Sequence, residues 1–164
     1  MLPRVLAYVV AAVLALVGPV CAEDSTAPGG DVILTVTGVN ATPVQFDRAA
    51  LVALGLVSIE TTTIWSEGVQ TFEGVPLMSL TQALGVESGT LFATAINDYT
   101  VEIPVTDAVE GGPIIALKLN GEDMSIRDKG PLWVVYPYDS SAGYRTEVIY
   151  SRSIWQLDRI EVVD

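Results

Sequence analysis

Short β-branched runs, cut repeatedly by glycine and proline, constrain this chain more than any other feature. Residues 32–39 alternate apolar side chains with Thr35 and Thr37, the two-residue period of a strand. Residues 57–65 carry Ile59, Thr61, Thr62, Thr63 and Ile64, whose branching at Cβ favours extended backbone. Residues 91–96 and 99–103 flank the turn pair Asn97-Asp98. Residues 114–119 end at Asn120-Gly121, the strongest hairpin signal here, because both central positions of such a turn need positive φ. Residues 132–136 lie between Gly130-Pro131 and Pro137, and residues 147–150 and 159–163 read as further short strands. Helices are predicted to be few. Asp47 caps residues 48–54, with Phe46, Ala50 and Leu54 on one face and Gly55 as the stop. Residues 72–77 read as a turn feeding a second helix, with Pro76 in the first position, Leu77, Leu80 and Leu84 as its buried stripe, and Gly85 ending it. Residues 106–110 and 153–157 are expected to form single helical turns. The expected fold class is α+β, strand-rich, with mixed sheets and short helices.

Residues 1–22 have the layout of a cleaved secretory signal: Arg4, an apolar run at 5–17, the breakers Gly18-Pro19, and a small-residue exit at Val20-Cys21-Ala22. The apolar run is shorter than the roughly 20 residues that cross a bilayer. An uncleaved anchor and lipid attachment at Cys21 are the alternatives. Residues 23–30, ending in Pro28-Gly29-Gly30, read as a flexible leader, and residues 31–164 as one domain. The expected location is periplasmic or secreted, with no membrane contact after cleavage. The chain has one cysteine and no histidine, and the cysteine would leave with the signal. The side chains that most thiol, Ser/His and transition-metal chemistry uses are then absent. Half the chain is apolar (50%), enough for a core without disulfides.

The net charge is −12, and losing Arg4 makes it one unit more negative. Nucleic acid and anionic lipid surfaces are therefore excluded as partners, since both need a basic footprint. The bases cluster late in the chain, at Lys118, Arg127, Lys129, Arg145, Arg152 and Arg159, while Arg48 stands alone among twelve acids in residues 23–117. Such a pattern fits a solvated face with local ion pairs or a small anion pocket in an acidic shell. Arg127-Asp128-Lys129-Gly130-Pro131 is the leading candidate for such a pocket, against a plain hairpin return. Tyr136-Pro137-Tyr138-Asp139, with Tyr144-Arg145, could form an exposed binding surface or a packed corner. Asn97-Asp98-Tyr99 could place a carboxylate at a pocket rim or simply close a turn. Asp98, Asp123, Asp128 and Asp139 lack calcium-loop spacing. No Gly-x-Ser-x-Gly occurs, and no spacing of acids supports glycosidase chemistry. Trp65, Trp133 and Trp155 read as core or rim aromatics.

Taken in order, "DVILTVTGV", the Asp47 helix, the Thr-rich strand ending in Trp65, "FEGVPLMSLTQALG", "NDYTVEIP", "IIALKLNGEDMS", "RDKGPLWVVYP" and "SIWQLDRIEV" resemble the molybdopterin-binding oxidoreductase domain of the sulfite oxidase superfamily. The resemblance spans nearly all of residues 31–164 and is greatest to small exported single-domain members. It implies a molybdenum-ligating cysteine a few residues before Trp65, where this chain has Thr61, a hard neutral hydroxyl that cannot replace a thiolate. It also implies a phosphate-binding lysine next to Trp155, where this chain has Ile154; Arg152 could compensate from two positions earlier. The family's cofactor-contacting histidines have no counterpart. The expectation is a degenerate, non-catalytic domain with no cofactor. It would bind a small anionic ligand or a periplasmic protein partner through Arg127, Lys129, Tyr136, Tyr138, Arg145, Arg152 and Trp155, in a sensing or accessory role. An active molybdopterin oxidoreductase with a non-cysteine metal site and a pure interaction module are the alternatives.

Overall fold

The computed structural model describes residues 29–164; the signal expected at 1–22 and most of the leader expected at 23–30 lie outside the described residues. The strand-rich pattern becomes two sheets. In the first, β2 (Val44–Asp47), β1 (Val32–Thr37), β10 (Leu157–Val163), β5 (Thr90–Ala95) and β6 (Thr100–Pro104) lie side by side in that order. β1 and β10 run parallel and every other neighbouring pair is antiparallel, so the sheet is mixed. In the second, the order is β3 (Val57–Thr62), β4 (Val69–Pro76), β7 (Ile114–Leu119) and β8 (Glu122–Asp123), with β9 (Trp133–Val135) paired to the other end of β7. Asn120 and Gly121 both take positive φ, 52° and 83°, at the β7–β8 turn, as their sequence requires. Among the described residues, no helix is long and apolar enough to cross a membrane.

The α-helices are one or two turns long. α1 (Arg48–Ala53) starts where Asp47 accepts from the Ala50 N–H at 2.7 Å; its other oxygen accepts from Gly30 N–H at 2.8 Å. These two donors hold the Asp47 carboxyl below its ordinary range. Leu51 is the fully buried residue of α1, while Ala50 and Leu54 are only partly buried. α2 (Leu77–Ala83) buries Leu77 and Leu80, as its apolar stripe requires. Pro76 precedes its first turn rather than occupying it.

Three local expectations are corrected. Residues 69–76 are strand β4, because Phe72, Gly74 and Val75 pair with β7. A Cβ on Gly74 would strike the Ile115 carbonyl, so the close approach requires glycine. Residues 147–150, expected as a strand, lie in helix α3 (Glu147–Arg152). Thr146 caps it by accepting from Ile149 N–H at 3.3 Å, with Glu147 in the first turn and Arg152 in the last, each at the dipole end that favours it. Residues 153–157 are not a helical turn. Ile154 accepts from Val134 N–H at 2.8 Å, Leu157 donates to the Leu132 carbonyl at 3.0 Å, and Trp155 bridges Trp133. This segment stitches β9 of the second sheet to the start of β10 in the first.

Candidate functional site

Thr61 points inward from the end of β3 and is 1% exposed. Its Oγ1 accepts from Asp139 N–H at 3.1 Å and donates to the Thr62 carbonyl at 3.2 Å. Asp139 reciprocates, its carboxylate accepting from Thr62 N–H at 2.6 Å and the Thr62 hydroxyl at 2.8 Å. The backbone and hydroxyl donors of Thr62 lead in holding the Asp139 carboxyl below its ordinary range. The hydroxyl at the position implied for a metal ligand is thus already committed to the protein. The four aspartates considered for calcium disperse: Asp98 pairs with Arg159, Asp123 with Arg48, Asp128 accepts from the Ser125 hydroxyl at 2.7 Å, and Asp139 holds Thr62. Among the described residues, no group of three His, Cys, Asp or Glu side chains could hold a metal.

Tyr136 and Tyr138 do not form an exposed binding surface, because the chain around β9 is covered and both rings are buried. The Tyr136 hydroxyl donates to Asp107 at 2.7 Å, and Arg152 donates to the same carboxylate oxygen at 2.9 Å. Burial, reinforced by Asp107, pushes the Tyr136 phenol far above its ordinary range. Arg152 is therefore engaged by a half-buried carboxylate and is not available to compensate for Ile154. Tyr138 donates to the Ser153 hydroxyl at 2.7 Å, which donates on to the Ile149 carbonyl at 2.9 Å; burial outweighs that bond and pushes the phenol up to about 12. Trp133 completes the corner by donating from Nε1 to the Ser153 carbonyl at 3.2 Å. Arg127 and Arg145 are exposed. Ile154 is buried at 4% and contributes to the wall of the cavity described next.

A cavity of about 260 Å³ opens next to this corner, lined by Trp65, Tyr99, Tyr150 and Trp155 with the polar side chains Asn97 and Gln156. Four distant stretches build it. Trp65 follows β3; Asn97 and Tyr99 come from the β5–β6 turn, pinned by the Asp98–Arg159 pair; Tyr150 lies on α3; Trp155 and Gln156 belong to the stitching segment. Trp65 is the hub, with Trp155, Tyr150 and Trp133 meeting it edge-on at centroid distances of 5.6, 5.8 and 5.8 Å, a favoured aromatic geometry. Lys129 places its ammonium 5.5 Å from the Trp133 ring and 5.9 Å from the Trp155 ring. Of the residues expected to bind, Trp155 lines the cavity and Lys129 abuts its wall. Tyr136, Tyr138 and Arg152 lie in the packed corner behind, and Arg127 and Arg145 face solvent. Trp65, Tyr99 and Tyr150 were not expected to meet; no period links positions 65, 99, 150 and 155, and the rim role allowed for Trp65 and the rim position allowed for Asn97-Asp98-Tyr99 were the only signals.

The sequence matches the family described as oxidoreductase molybdopterin binding domain over residues 31–163. No curated protein sequence matches it. Among solved structures, the sulfane dehydrogenase SoxCD from Paracoccus pantotrophus is similar in fold, with a TM-score of 0.58 and 18% identity; the alignment covers 80% of this chain and 38% of that one. The expectation of no cofactor is overturned by the family match, which points to a molybdopterin. The residues fit that group at one end only. The aromatic cavity suits a planar ring with a polar edge. The metal end does not fit: residues 23–164 contain neither cysteine nor histidine, and Thr61 has spent its hydroxyl on Asp139 and Thr62. With both the strand-rich architecture and the sequence match covering the described domain, this chain belongs to the oxidoreductase molybdopterin binding domain family of the sulfite oxidase type.

Proposed function

We propose that the domain is a ligand-binding member of its family that carries out no redox turnover itself. The cavity between Trp65 and Trp155 takes the ring of a pterin-class ligand, and no thiolate anchors a metal beside it. The signal-like layout of residues 1–22 supports a role outside the cytoplasm, as a periplasmic sensing or accessory domain. One observation carries the reading: the inward-facing side chain at the expected metal-ligand position is Thr61, buried and fully hydrogen-bonded, while the adjoining aromatic cavity stays open. A buried, satisfied hydroxyl gives up two bonds to bind anything else, at a cost of about 1–3 kcal/mol per group left unpaired.

The test is purification after export from a host that makes molybdopterin. Extracted pterin is quantified by fluorescence, metal by mass spectrometry, and turnover with an artificial electron acceptor. Pterin recovered with the protein, without turnover and without thiolate-to-metal absorption, is the expected result. Turnover together with one molybdenum per chain overturns the reading.

A further inference from the structure

We propose that the free edge of β3 is a docking site for an extended, positively charged segment of a partner protein, which joins the second sheet as an added strand. The proposal does not depend on what fills the aromatic cavity. β3 is the outermost strand of its sheet and pairs with β4 on one side only. Hydrogen bonds show which of its backbone groups face outward. Thr71 of β4 donates its N–H to the Asn120 side chain at 3.0 Å, and its carbonyl accepts from Asn120 N–H at 2.7 Å, so its polar backbone turns away from β3. Glu60, the β3 residue opposite Thr71, therefore sits where an antiparallel pair exchanges no hydrogen bonds, and it directs its N–H and carbonyl to the open side. Thr62 sends its N–H to the same side, where Asp139 accepts it at 2.6 Å. The two-residue period of a strand puts Ser58 in this outward row. Among the described residues, the backbone groups of Ser58 and Glu60 meet no partner.

Open edges are ordinarily blunted by proline, lysine, a bulge, a very short strand or a covering element. The other edges here follow that rule: β2 has 4 residues and comes directly after Pro43, β8 has 2, and β6 ends in Pro104 and lies against α3. β3 has 6 residues, an unbroken register with β4, and neither proline nor lysine. Leu56 and Val57 leave apolar surface exposed at one end of this edge, and Val69, opposite Thr62, does so at the other. The charge around it selects the occupant. Glu60 is exposed in the strand, Glu67 is exposed in the turn that follows, and the Asp139 carboxylate closes the far end. Arg48 is the single base among twelve acids in residues 23–117. A second copy of the chain is a poor match, since each copy carries −12 and like charges on facing strands repel. A strand with lysine or arginine facing Glu60 gains an opposite-charge cross-strand pair instead. Main-chain bonds to Ser58 and Glu60 supply the affinity and that pair the specificity. Asp139 already holds the Thr62 N–H, so it stops the added strand there and sets its register.

The experiment uses the full chain and a short capped peptide of alternating lysine and valine. Its controls are the same peptide with glutamate in place of lysine, and the lysine peptide with its amides N-methylated, which keeps the charge and removes the main-chain donors. Affinity is read by calorimetry and amide hydrogen exchange by NMR. The lysine peptide is expected to bind and to slow exchange at the Ser58 and Glu60 amides by about tenfold or more. Ser58→Pro removes an outward donor and spares the β3–β4 ladder, so binding should weaken by about tenfold with the denaturation midpoint little changed. Glu60→Lys, which carries the test if Ser58→Pro does not fold, should turn the preference from the lysine peptide to the glutamate peptide. Absence of binding, equal binding of the N-methylated peptide, or binding that leaves the Ser58 and Glu60 amides unprotected overturns the proposal. Protection of those amides without peptide, together with a dimer in sedimentation, overturns it in favour of a second copy. None of these outcomes bears on the ring-binding reading.

Discussion

The corner around Thr61, Asp139, Tyr138 and Ser153 and the cavity around Trp65 and Trp155 lie side by side, built partly from the same segments. They treat their side chains in opposite ways. In the corner every buried polar group has a partner: Thr61 with Asp139, Tyr138 with Ser153, Tyr136 with Asp107. In the cavity, aromatic faces are left open to solvent, Tyr99 at 57% and Trp155 at 37% exposure. The first region is finished by contacts within the chain. The second keeps aromatic surface exposed at its mouth. The resemblance implied a metal-ligating cysteine in the neighbourhood of the finished region, where this chain has Thr61.

Substitutions should separate the two regions by what they damage. The largest loss of stability is expected from Trp133→Ala, about 3–5 kcal/mol in chemical denaturation, because a fully buried ring packed on Phe72 at 5.2 Å is replaced by a void. Tyr136→Phe removes one hydroxyl from the Asp107 carboxylate but leaves Arg152 bonded to it, so about 1–2 kcal/mol is expected. Asp139→Ala acts through pH. The folded carboxyl lies below the ordinary value of 3.8, so its contribution is fully present above about 3.8 and is lost as pH falls through the lower folded value. The Tm gap between wild type and Asp139→Ala should be widest above about pH 5 and close in stronger acid; a gap unchanged down to about pH 3 would count against the clasp. A stability loss smaller than that of Trp133→Ala, about 1–2 kcal/mol, is expected for Trp155→Ala, because its ring packs edge-on against Trp65 but stays 37% exposed; this variant should lose most pterin binding, read by calorimetry. If Trp155→Ala destabilises the fold as much as Trp133→Ala, the distinction between finished corner and open cavity fails.

Where a side chain acts on its own backbone, the sequence was readable. Asp47 three residues before an amide it caps, and Asn120-Gly121 at a hairpin, led directly to structure. Residues 147–150 misled because Val148, Ile149 and Tyr150 carry β-forming side chains, while the deciding cap, Thr146, lies outside the run. Burial of Tyr136 and Tyr138 was hidden for a related reason: their partners Asp107 and Ser153 lie 29 and 15 residues away. Trp155 and Lys129 were singled out from the sequence, but their meeting depends on a left-handed loop and two bonds from Gln156. The cavity itself joins positions from 65 to 156 through sheet pairing that no local pattern encodes.

The parallel pairing of β1 with β10 at the centre of the first sheet has a temporal consequence. β1 is synthesised more than a hundred residues before its inner neighbour β10, so the hydrogen bonds of Thr35 to Thr37 wait for Arg159 to Glu161. At synthesis rates of about 5–20 residues per second, the nascent chain spends several seconds with that strand edge unmatched. Truncation before residue 157 would leave β1 and β5 without the strand that lies between them, and such a product should be cleared by proteases rather than accumulate as a smaller domain.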